Sequence, residues 1–252
     1  MNRRQLLASG GAMVSAAVSG CLSGSEETDP EETASRLRSP THDGWPMAGY
    51  DARNTGHHRT ASIPSAEPQQ RWTKTVDDVE RVTMPLVSGQ QVYVGSTTLR
   101  NPPAHLYQLE AASGDVAQKT SVGFLGDVFF QDTANAKIYT NTSPSAGTVA
   151  IAAFDTTDGS QQWEFELADP LHAPLVVAGD SLCVTTRSAL LVLNREDGTE
   201  RWRESVSQQT QPAVGNSAVH IMADGSIHAY DQMSGEQQWV YELTDRGSLA
   251  PV

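Results

Sequence analysis

Cysteine, lysine and long apolar runs are scarce in this chain, and each shortage excludes something. Among 252 residues there are two cysteines, Cys21 and Cys183, too few for a disulfide framework in a protein of this size. Lysine occurs at positions 74, 119 and 137, and the 17 basic residues face 30 acidic ones, for a net charge of −13. Such a surface repels phosphates, so neither nucleic acid nor an anionic lipid surface is an expected partner. No apolar run approaches the roughly 20 residues a helix needs to cross a bilayer. There is no glycine-rich phosphate loop and no Gly-x-Ser-x-Gly elbow. The neighbouring His57 and His58 would point to opposite sides of an extended chain, and His172, His220 and His228 lack zinc-ligand spacing.

What is present begins at the N-terminus. Arg3 and Arg4, followed by Leu6 and Leu7, a weakly apolar run to Val18, and then Val18-Ser19-Gly20-Cys21, resemble a twin-arginine export signal ending in a lipobox. That resemblance implies residues 1–21 are an address, with a diacylglyceryl group on the Cys21 thiol, the route being one that exports folded proteins. Two acyl chains give stable anchoring at about 0.8 kcal/mol per buried methylene. The expected location is the outer face of the cell membrane, held there by lipid on Cys21. Residues 22–43 are polar and acidic, contain Pro30 and Pro40 and show no apolar period, as expected of a disordered tether. Abundant carboxylate with little lysine resembles the composition of halophilic proteins.

From residue 44 onward the chain repeats itself. Ala153-Phe-Asp155-Thr-Thr-Asp-Gly159-Ser-Gln-Gln-Trp163 aligns without a gap on Ala229-Tyr-Asp231-Gln-Met-Ser-Gly235-Glu-Gln-Gln-Trp239. A third copy, Val192 to Trp202, keeps Gly198 and Trp202 with Asn194 in the aspartate position, and a degenerate fourth, Gln108 to Gln118, keeps Gly114 but ends in glutamine. Trp72 matches the end of the motif alone. The upstream halves repeat as well, as Met84-Pro-Leu-Val, Ala173-Pro-Leu-Val and Pro212-Ala-Val. Spacings of 46, 45, 39 and 37 residues along the series Trp72, Gln118, Trp163, Trp202, Trp239 accommodate four short strands and their turns. Asp224-Gly225 between apolar runs is a hairpin signal. An all-β propeller of four-stranded antiparallel blades is the expected fold.

The A-x-D-x-x-x-G-x-x-x-W motif resembles the tryptophan-docking repeat of pyrroloquinoline-quinone (PQQ, quinoprotein-like) propellers, and Trp45-Pro-Met-Ala-Gly-Tyr-Asp51-Ala-Arg-Asn-Thr-Gly56 resembles their entry segment. The resemblance covers residues 44–252 and implies that Trp163, Trp202 and Trp239 are core residues wedged between blades. It implies that Ala153, Ala229, Gly159, Gly198 and Gly235 leave room for them. Asp155 and Asp231 are expected to bond their own turns, and Cys183, in the strand position of Tyr93, to be a small apolar filler. Relatives of this kind close with more blades. The four repeats here, with Ser248–Val252 reading as the start of a fifth, lead us to expect an incomplete ring. Two explanations stand: a shortened copy of a longer propeller, or two arcs pairing as a homodimer into an eight-bladed ring.

Function follows less directly, because one fold hosts many activities. The expected role is a non-catalytic binding scaffold of the cell envelope, similar to the propeller lipoprotein of the outer-membrane protein assembly machine, with an envelope protein or polymer as partner and no cofactor. The alternative is a quinone-dependent dehydrogenase, which would need PQQ and calcium. Against it, the chain has no vicinal cysteine pair and no carboxylate–amide cluster that aligns with calcium ligands.

Overall fold

A computed structural model describes residues 44–58, 65, 67, 69–76, 81–97, 104–122, 129–132, 136–144, 147–207, 210–215 and 217–243. Arg3, Arg4, Cys21, the tether at 22–43 and Ser248–Val252 lie outside the described residues. Within them the secondary structure is β throughout. Two short strands, β1 (Gly44–Trp45) and β2 (Arg81–Val82), add to the sheet of the first blade, β3 (Leu86–Ser88), β4 (Gln91–Thr97), β5 (His105–Glu110) and β6 (Val116–Ser121), β1 pairing with β3 and β2 with β4. The second blade is β7 (Phe129–Asp132), β8 (Lys137–Thr142), β9 (Val149–Asp155) and β10 (Gln161–Leu167). The third is β11 (Val176–Ala178), β12 (Ser181–Thr185), β13 (Ala189–Asn194) and β14 (Glu200–Ser205). The fourth is β15 (Ala213–Gly215), β16 (Ala218–Ala223), β17 (Ser226–Asp231) and β18 (Gln237–Glu242).

Within each blade, strands pair antiparallel in chain order, as tight hairpins dictate. The innermost strands of successive blades touch, β3 with β7, β7 with β11 and β11 with β15. The blades therefore fan out from a common axis, a β-propeller arc. Proline marks the inner edge of three of the four blades: Pro85 separates β2 from β3, Pro174 precedes β11 and Pro212 precedes β15. An edge strand tolerates a residue with no N–H to donate, whereas a central strand does not.

Period-two alternation builds the core between blades. Along β8 and β9, Ile138, Ala152 and Phe154 face the first blade and pack on Leu86, Tyr93 and Leu106. Tyr139, Ile151 and Ala153 face the third blade, among Leu175, Val177, Leu182 and Leu191. In the third blade both faces are covered, so β12 and β13 are buried at nearly every position and read as continuous apolar runs. Val176, Leu190, Val192 and Trp202 then meet Val219, Ile221 and Tyr230 of the fourth.

Trp239 departs from its expected place in the core. It is 45% exposed, where Trp163 and Trp202 are 9% and 8% exposed. All six positions of β18 are exposed, because among the described residues no further blade stacks on that face.

Candidate functional site

Each buried tryptophan docks in the same way. Trp163 lies opposite Ala153 across the β9–β10 ladder, and Trp202 lies opposite Val192 across β13–β14. The small residue beneath leaves the indole free to lean onto the next blade, where it lies on the glycine of that blade's turn. A Cβ added to Gly198 would sit 2.5 Å from the Trp163 ring, and one added to Gly235 would sit 2.7 Å from the Trp202 ring. The indole N–H donates to the carbonyl three residues before that glycine, Trp163 to Arg195 O at 3.1 Å and Trp202 to Gln232 O at 2.9 Å. Trp72 does the same on the first blade, its ring against Gly114 and its N–H 3.0 Å from Ala111 O. The glycines are at φ near +75°, where a side chain is both strained and in the way.

The aspartates of the motif set the turns that receive the rings. Asp155 Oδ1 accepts from Thr157 N at 2.7 Å, Asp231 Oδ1 from Met233 N at 3.0 Å and Ser234 N at 2.8 Å, and Asn194 Oδ1 from Glu196 N at 3.0 Å. These Asx turns use the carboxylate or amide as a backbone mimic. Bonds from the Ser234 and Met233 amides hold the Asp231 carboxyl below the usual carboxylate range. Two contacts at the second junction were invisible in the motif. Tyr139 donates its hydroxyl to Arg195 O at 3.3 Å, and the nearly buried Lys137 ammonium reaches Glu196 Oε1 at 2.6 Å. Neither residue belongs to the tryptophan motif, and both fall in the least regular copy of the upstream half, so spacing offered no signal for their partners.

The entry segment takes the axial side. β1 pairs with β3, Gly44 opposite Ser88 and Trp45 opposite Val87. Further along, Val214 N of β15 donates to Ala52 O at 2.7 Å, and Asn54 Nδ2 donates to Pro212 O at 2.8 Å. Between these ends Met47 enters the core of the second and third blades, and Ala52 that of the third and fourth. Residues 44–54 thus run across the arc from first blade to fourth, capping inner-edge backbone that would otherwise be unpaired. Asp51 keeps the segment bent, accepting from the Arg53 and Thr55 amides, each at 3.1 Å, and from the Arg53 guanidinium at 3.2 Å.

Reactive chemistry is sparse. Among the described residues no group of three or more His, Cys, Asp or Glu could hold a metal ion. His57 is exposed, His58 lies against the Tyr50 ring, and His220 lies against Trp239 on the open face of the fourth blade. Cys183 is fully buried opposite Val192 in the strand position of Tyr93, and burial pushes its thiol up to about 12. A neutral buried thiol is inert. In a Cys21→Ser background, Ellman's reagent at pH 8 is therefore expected to find no reactive thiol in the folded protein and one equivalent after urea unfolding. Reaction in the native state would contradict this burial.

Residues 146–251, which span the best-formed repeats, match the family model described as outer membrane protein assembly factor BamB. Over that stretch the chain is similar to propellers of the PQQ-like family. It is 26% identical over 177 residues to the outer membrane protein assembly factor BamB of Yersinia pestis, covering 62% of this chain and 42% of that protein. A 95-residue match to the same factor from Burkholderia pseudomallei, also at 26% identity, covers 36% of this chain and 25% of the relative. The chain thus spans less than half the length of these curated relatives. Among solved structures, a europium-containing methanol dehydrogenase superposes on 84% of this chain and 50% of its own, with a TM-score of 0.63 at 13% identity. The quinohemoprotein alcohol dehydrogenase of Comamonas testosteroni superposes on 86% of this chain and 43% of its own, with a TM-score of 0.60, also at 13% identity. Likeness at that identity speaks for the shared propeller fold and not for a shared reaction.

The fourth blade leaves an apolar strip uncovered. Trp239, Val240 and Tyr241 of β18, with Met233 in the preceding turn, are each about half exposed or more, whereas β14 in the third blade buries the equivalent Trp202. No helix among the described residues is long and apolar enough to cross a membrane.

Proposed function

We propose that this protein is an exported, lipid-anchored propeller that acts as a non-catalytic binding scaffold in the cell envelope. The observation that carries the reading is the match of its best-formed blades to the outer membrane assembly-factor family. The sequence at Arg3, Arg4 and Cys21 supports it from the other end of the chain, because lipid on Cys21 would hold the propeller at the membrane, where its loops and blade edges can meet a partner. The axial segment supports it too: Met47 and Ala52 fill blade junctions beside the axis, and the motif carboxylates are committed to turns. The partner is an envelope protein or polymer.

Two measurements test the two halves of this reading. After fractionation the protein is expected with membranes, while Cys21→Ser is released and replacement of Arg3 and Arg4 by lysine blocks export. Calorimetric titration with PQQ and calcium is expected to give no binding heat. Tight one-to-one binding would replace the scaffold with a dehydrogenase.

Ring closure by a second copy faces a specific obstacle. The fourth blade's Trp239 would need a glycine turn on the partner's first blade, and that turn, at Gly114, already holds the partner's own Trp72. A homodimer of this kind would have to displace Trp72 first.

A further inference from the structure

The two ends of the arc carry the two halves of one joint. Between the second and third blades, the row Tyr139, Ala153, Trp163 crosses β8, β9 and β10. Its two rings lie 5.8 Å apart, and hydroxyl and indole both donate to Arg195 O of the next blade. The fourth blade repeats that row as His220, Ala229 and Trp239, with ring centroids 5.6 Å apart. The small residue, the indole and a second ring able to donate are all in register. Among the described residues no turn receives them, and Trp239 stays 45% exposed.

A matching turn stands at the opposite end, on the first blade. Gly114 has φ of +75°, as Gly198 and Gly235 do, and its N–H donates to Glu110 O as theirs donate to Asn194 O and Asp231 O. Its occupant is Trp72, whose ring lies 2.6 Å from where a Gly114 Cβ would be and whose N–H is 3.0 Å from Ala111 O. Trp163 and Trp202 are rooted in ladders, whereas residues 69–76 form no strand. The two ends also match in charge. Lys137 reaches Glu196 across the second junction. The fourth blade has Ala218 in that lysine's register, opposite Asp231 as Lys137 is opposite Asp155, and the first-blade turn has Ala112 where the third has Glu196. Joining the two ends would strand no charge.

We propose that Trp72 is a plug that keeps two copies of this chain from joining end to end, the fourth blade of one on the first blade of the other. Such a joint continues the series of blade contacts already made by β3 with β7, β7 with β11 and β11 with β15. In the resting chain the plug prevails, because a group tethered beside its socket meets it at millimolar effective concentration. Withdrawal of Trp72 opens Gly114 to Trp239 of a second copy, which then donates to Ala111 O with His220 beside it. The net charge of −13 on each copy opposes association further at low ionic strength.

The test is sedimentation velocity of the full chain carrying Cys21→Ser, in about 1 M salt so that repulsion between acidic copies is screened. This parent is expected to run as a monomer, and Trp72→Ala to run at twice that mass or more at the same concentration. Adding Trp239→Ala, which removes the docking ring, or Gly114→Ala, whose methyl group fills the socket, is expected to restore the monomer. Adding Val240→Ala, which trims exposed apolar surface outside the docking row, is expected to leave the assembly intact. Should Trp72→Ala fail to fold, Trp72→Phe, which keeps a ring but loses the bond to Ala111 O, takes its place with the same second changes. A folded Trp72 variant that stays monomeric, or a parent that associates as readily, would overturn the proposal. So would an assembly that survives Trp239→Ala or Gly114→Ala, or one that Val240→Ala disperses equally.

Discussion

Trp202→Ala is expected to destabilise the protein by about 3–5 kcal/mol, the range for removing a large buried aromatic from a packed site. The indole is 8% exposed, rests on Gly235 and gives its N–H to Gln232 O, and Tyr230 lies against it with ring centroids 6.0 Å apart. Truncation opens a cavity between the third and fourth blades and leaves the Gln232 carbonyl without its indole donor. In a domain of this size each kcal/mol moves the melting temperature by roughly 2–4 °C, so a loss on the order of 10 °C is expected. Trp239→Ala is the internal control. The same residue in the same repeat position, 45% exposed, is expected to cost less than about 1 kcal/mol. Urea denaturation of both variants measures the contrast, and equal losses would show that the repeat position, and not its burial, sets the stability.

Gly235→Ala is expected to cost more than Gly225→Ala by about 1–3 kcal/mol, the usual cost of overpacking. Both glycines are left-handed, at φ of 75° and 78°, so both variants carry the same backbone penalty of about 1–2 kcal/mol. They differ in what a methyl group would meet. At Gly225, in the Asp224-Gly225 hairpin, there is nothing within 4 Å; at Gly235 the Trp202 ring is 2.7 Å away. The subtraction isolates the docking contact. Combining Gly235→Ala with Trp202→Ala sharpens it, because a methyl group has nothing to strike once the ring has gone. The double variant is expected to be less destabilised than the sum of the two single variants. Strict additivity would mean that the glycine serves its turn alone.

The repeat told its reader a good deal about local structure. Glycine four residues after the aspartate or asparagine of an Asx turn, a small residue under an aromatic across the ladder, and proline at the inner edges of three blades are choices made by backbone sterics and strand pairing, and these act over a few residues. Gly159, Gly198 and Gly235 therefore mark left-handed turns, and Pro174 and Pro212 mark edges, before any tertiary contact is considered. The degenerate Gln108–Gln118 copy was equally visible as a departure. Its consequence was not, because what fills the missing ring's place over Gly159 is decided only when two blades meet.

Lys137, Tyr139 and the entry segment had no such local signal. Lys137 and Tyr139 sit in the least regular copy, and their roles arise from a turn nearly 60 residues away on the next blade. The run from Trp45 to Asn54 shows a motif-like string of polar and aromatic residues, but its placement along the inner edges of β3 and β15 requires both blades to exist first.

Strand period, turn chemistry and blade length were thus written in the order of residues, since each is settled by neighbours along the chain or one hairpin away. Which tryptophan is buried and where the axial segment lies were settled by the stacking of one sheet on another. Trp202 and Trp239 occupy the same position of the repeat, and among the described residues an apposed blade covers the first and not the second.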